Sequence, residues 1–66
     1  MRRLTEEENH SIANDAVQGV REEVLVGLLN SFRKATLYAI ADLNHIEADE
    51  TMTRRQLVRR IVAGLA

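Results

Sequence analysis

Four arginines crowd one short stretch of this chain. In Thr53-Arg54-Arg55-Gln56-Leu57-Val58-Arg59-Arg60-Ile61-Val62 they fall as two adjacent pairs, with apolar residues at helical spacing around them. Arginine's planar fork grips carboxylate or phosphate oxygens two at a time. The chemistry on offer is recognition of an anionic surface, either an acidic protein patch or a phosphate backbone. On a helix, Leu57, Val58, Ile61, Val62 and Leu65 share the inward face, and Arg55, Gln56, Arg59, Arg60 and Ala63 face out. Arg54, Arg55, Arg59 and Arg60 are the candidate contact residues. Arg54 and Arg55 sit near the positive end of the helix dipole, where cations are mildly unfavourable. Stability alone would not choose them there. The plainer reading is a solvated face paired with Glu47, Asp49 and Glu50, at about 0–1 kcal/mol per exposed pair.

Other constellations offer less. His45, Glu47 and Asp49 are spaced like a metal set, but no second imidazole lies near them in sequence, so no metal is expected. Solvent exposure is the expected state of both His10 and His45. There is no cysteine nucleophile. Ser11 and Ser31 lack a base with an orienting partner. Glu22-Glu23 and Asp49-Glu50 are sequence neighbours, which on a helix do not point together. Gly19, Gly27 and Gly64 are isolated, so no phosphate-cradling loop is present. No enzyme activity and no cofactor are expected.

The elements that must position the arginines read as helices throughout. The chain has no proline, and its apolar residues recur at three- and four-residue spacing. Thr5-Glu6-Glu7-Glu8 fits a capping box that opens a first helix over about 6–18. Ile12, Ala13, Ala16, Val17 and Val20 line one face, Asn14, Asp15 and Gln18 line the other, and Gly19 stops the helix. A second helix is expected over about 20–45, with Val24, Leu25, Leu28, Leu29, Phe32, Ala35, Thr36, Ala39, Ile40 and Leu43 as its apolar face. Such a helix of ~25 residues would be ~38 Å long. The alternative is a bend near Asn30-Ser31 that yields two ordinary helices. Thr53 to Gln56 forms a second capping box, with Met52 and Leu57 as its hydrophobic staple, and opens a third helix over about 53–65.

With 66 residues the chain is expected to be one domain, 1–66. A domain this small is marginal alone, and this one lacks disulfides and has a single Phe and a single Tyr. Two short helices can hardly cover a long central one. The expectation is therefore an all-α bundle of three helices completed by self-association, with Val24, Leu28, Phe32 and Leu43 as the dimer core. Nine basic and ten acidic side chains give a net charge of −1, which argues against a surface built wholly for nucleic acid. No apolar run reaches the ~18 residues of a membrane span. Glu6-Glu7-Glu8 stands where a signal peptide needs its apolar region, so a cytoplasmic location is expected.

Together these features predict a small non-catalytic regulator or adaptor that acts by protein–protein contact as a helical homodimer. In general shape only, it is similar to the small helical regulators of bacteria and phages. The alternative is a DNA-binding regulator that uses the basic helix 53–63 in a helix-turn-helix-like arrangement. Against it stand a connector of about six residues, where that motif uses three or four, and the connector's acidity, which repels phosphate.

Overall fold

A computed structural model describes residues 3–66, and every regular element in that span is a helix. The order is α1 (Glu6–Ala16), α2 (Glu22–Ser31), α3 (Lys34–Leu43) and α4 (Arg54–Leu65). α1 packs on α3, and α4 packs on both α2 and α3. The radius of gyration is 11.5 Å, close to the ~11 Å of a compact chain this long. No helix among the described residues is long and apolar enough to cross a membrane.

Both capping boxes form as their sequences dictate. The Thr5 hydroxyl accepts from the Glu8 amide at 3.1 Å, and the Glu8 carboxylate accepts from the Thr5 amide at 3.2 Å. At α4 the Thr53 hydroxyl accepts from the Gln56 amide at 3.2 Å, and the Gln56 side chain accepts from the Thr53 amide at 2.9 Å. α1 ends two residues earlier than expected, in a turn where Gly19 takes a left-handed φ of +69°. Its contribution to the core is slight. Ile12 stands exposed, Ala13 is half-buried, and the one fully buried apolar residue nearby is Val17, just past the helix end.

The long central helix is the main correction. The span 20–45 holds two helices of ten residues each, α2 and α3. Phe32 and Arg33 between them are extended, with ψ of 154° and 155°. The Ser31 hydroxyl donates to the Leu28 carbonyl at 2.6 Å, drawing the last turn of α2 closed. The Arg54 guanidinium donates to the Phe32 carbonyl, which the break leaves without a helical partner. The break also changes which residues are buried. Leu25 and Leu29 are buried on α2, and Thr36, Leu37, Ile40 and Ala41 on α3. Leu37 and Ala41 lie off the face that a continuous helix predicts. By turning, the chain points both short helices at α4 and buries Leu25, Leu29, Leu37, Ile40 and Ala41 within one copy, while Val24, Val26 and Leu43 stay partly exposed. The bare rod that argued for self-association is therefore absent.

Among the described residues ten buried apolar side chains form one cluster, and four of them, Leu57, Val58, Ile61 and Val62, lie on α4. The inward face read from the sequence is the one observed, with Leu65 half-buried at its end. A polar clasp joins α1 to the end of α3. Asn14 Oδ1 accepts from Asn44 Nδ2 at 2.7 Å and from Gln18 Nε2 at 3.1 Å.

α3 closes with a paired C-terminal motif. The Ile46 amide donates to the Ala41 carbonyl at 2.8 Å and the His45 amide to the Asp42 carbonyl at 3.2 Å. This geometry places His45 at φ 56°, left-handed backbone that suits glycine. The left-handed region costs a residue with a Cβ ~1–2 kcal/mol, and glycine gives back part of that gain as unfolded-chain entropy. His45→Gly is therefore expected to raise stability by about 0.5–1 kcal/mol in urea unfolding. A loss of stability instead would show that the imidazole holds the turn.

Candidate contact site on the arginine helix

α4 is held firmly enough to present its outer face in a fixed register. Its start is capped, its inner face is the centre of the core, and its first arginine is tied to the α2–α3 turn. All four arginines of the predicted contact set are exposed, yet they do not form one patch. Arg54 is directed to the Phe32 carbonyl and braces the fold. Arg55 and Arg59 look towards α2 and line a groove with Glu22, Val26, Asn30, Val58, Val62, Ala63 and Ala66. Arg59 and Arg60, on the other side, border a shallow surface with Thr51, Met52, Gln56 and Ala63. Arg60 also shares a rim with Glu47, Ala48, Asp49 and Met52 of the connector.

Intramolecular neutralisation is absent from this arrangement. Among the described residues the one close approach of a basic and an acidic side chain is His10 Nε2 to Glu6 Oε1, at 3.7 Å, which is an ion pair only when the imidazole is protonated. No carboxylate oxygen comes within 4.0 Å of Arg55, Arg59 or Arg60. Their charges face solvent unpaired, and Glu22, on the same groove as Arg55 and Arg59, is unpaired too.

The connector is shaped by its own hydrogen bonds. The Tyr38 hydroxyl donates to the Asp49 carbonyl at 2.8 Å and pins the loop to α3. Asp49 Oδ1 accepts from the Thr51 amide at 2.8 Å and from the Thr51 hydroxyl at 3.0 Å. The amide bond first, then the hydroxyl, holds the Asp49 carboxyl below its ordinary range, so it stays ionised beside Arg60. Its contribution to stability is present at neutral pH and is lost as acid protonates it.

The remaining candidates are scattered. His45 serves as a helix terminator, and no group of three or more His, Asp or Glu side chains could hold a metal ion among the described residues. His10, expected in solvent, is only partly exposed and its Nε2 is buried without a hydrogen-bond partner. Of the residues named for a dimer core, Val24 and Leu43 are about half exposed, at 47% and 52%. Leu28 and Phe32 are half-buried against the chain's own core. Sequence reasoning missed the α2 wall of the groove. Glu22, Val26 and Asn30 repeat every four residues, the spacing of one helical stripe, and that was the available signal. Residues 44–53 separate α3 from α4, well beyond the three- or four-residue turn of a helix-turn-helix. No family model matches this chain, and no curated protein or solved structure matches it.

Proposed function

We propose that the chain is a non-catalytic regulator or adaptor that works through protein–protein contacts, as a homodimer, with the outer face of α4 as its contact surface. The observation that carries this reading is the set of exposed, unpaired guanidinium groups on a helix whose register is secured at several points. A helix already held in one register needs no further backbone ordering on binding, and arginine is enriched where partners meet.

Mixed charge favours a protein partner over nucleic acid. Glu47 and Asp49 stand on the same rim as Arg60, and Glu22 lines the same groove as Arg55 and Arg59. Carboxylates at those places repel phosphate, the source of most non-specific affinity for DNA. A protein surface with an acidic centre and polar flanks meets both signs. Arg60, with Gln56 on α4 and Met52 on the connector, makes up the surface offered to that partner.

The test is capture of partners from the source cell by wild type and by Arg60→Glu, each with and without nuclease. A defined protein bound by wild type, unaffected by nuclease and lost from the variant is the expected result. Capture that disappears on nuclease treatment would sink the protein-contact reading in favour of nucleic acid.

A further inference from the structure

The groove between α2 and α4 has a direction. The two helices run antiparallel. Glu22, at the start of α2, lies beside Val62, Leu65 and Ala66 at the end of α4. Arg54, at the start of α4, reaches Phe32 just past the end of α2. One end of the groove therefore carries Glu22, the other carries Arg55 with Asn30, and Arg59 lies between. Its middle is apolar and shallow-sided. Val58 and Val62 form the floor at 4% and 8% exposure, Val26 rises from the wall at 36%, and Ala63 and Ala66 leave room for close approach.

A groove that is acidic at one end, basic at the other and apolar in the middle complements itself when turned end for end. That rotation is the two-fold operation of an isologous dimer, in which one patch meets its own copy. We propose that a second copy of this chain occupies the α2/α4 groove in a two-fold dimer, with Glu22 of each copy against Arg55 and Arg59 of the other. The contact would bury Val26 and the apolar floor at the centre, and the charges would close the ends. It joins α2 and α4 of both copies into a four-helix layer. This inference rests on the self-association in the proposed function and assigns it a surface other than Val24 and Leu43. An acidic segment of another protein would be drawn to Arg55 and Arg59 but would leave Glu22 without a role.

Sedimentation of the full chain over a micromolar concentration series tests it. Wild type is expected to dimerise. Glu22→Arg alone places cations against cations across the axis, and Arg55→Glu/Arg59→Glu alone places anions against anions. Each should weaken dimerisation by about tenfold or more, the scale of like-charge juxtaposition. An equimolar mixture of the two should restore it, because both ends of the mixed pair are then complementary. Circular dichroism confirms that each variant is helical. If either is unfolded, the chain carrying Glu22→Arg with Arg55→Glu and Arg59→Glu takes over, and it should dimerise like wild type. A monomeric wild type would overturn both this inference and the homodimer reading. A wild-type dimer indifferent to the reversals, or a mixture or triple variant that stays monomeric, would overturn the groove assignment alone.

Discussion

Leu57→Ala is expected to be among the most destabilising single changes in the chain, at about 2–5 kcal/mol. Leu57 is fully buried one turn into α4, the helix on which α2 and α3 both pack. Cutting a buried leucine to alanine costs about 2–5 kcal/mol, through lost transfer free energy and the cavity left behind. A domain of 66 residues has in total roughly 3–10 kcal/mol, at about 0.05–0.15 per residue. The loss takes up about half of that margin at mid-range and all of it at the low end. α1 cannot make up for it, because it buries no residue of its own. Ile12→Ala is the control: Ile12 is 55% exposed, and its loss should stay within about 0.5 kcal/mol. Thermal melts by circular dichroism separate the two. A Leu57→Ala chain that melts cooperatively near the wild-type temperature would contradict the placement of α4 at the centre.

Gly64→Val is the second large effect, and its sign is informative. In a solvated helix, glycine costs up to ~1 kcal/mol relative to alanine, so replacing it often stabilises. Here a Cβ at position 64 would stand 2.6 Å from both Cγ1 and Cδ1 of Ile46. Ile46 is itself anchored by its amide bond to the Ala41 carbonyl and packs on the core. Valine adds two further carbons, so Ile46 has to leave its seat, at about 1–3 kcal/mol for overpacking. Ile46→Ala opens the space. The double variant should therefore lose clearly less than the sum of the two single losses in a double-mutant cycle. Additive losses would mean that the two residues do not meet.

What could be read from the sequence was what is decided locally. Thr5 with Glu8 and Thr53 with Gln56 are contained within one helical turn, and both boxes stand where their residue types require. The inward face of α4 was equally plain, since five apolar residues at strict spacing leave one way to bury them. The break at Phe32-Arg33 was not plain. Neither residue is a glycine or a proline, and Val24 to Leu43 also fits an unbroken apolar face. What fixes the break is distant in sequence: the Arg54 guanidinium on the Phe32 carbonyl, and an α4 that two short helices can cover better than one long one. Leu37 and Ala41, off the predicted face, were the residues at odds with a single rod. The arginines were found as a set, but their division into a brace, a groove wall and a connector rim depends on the fold.

The central place of α4 also bears on when the protein can become itself during synthesis. α1, α2 and α3 leave the ribosome before it, and the contacts of α2 with the core run through α4. Until α4 emerges, α1 and α3 can meet, but α2 lacks its main partner and the core leucines of both α2 and α3 are uncovered. Acquisition of shape must wait for α4, and the nascent chain has need of shelter up to that moment.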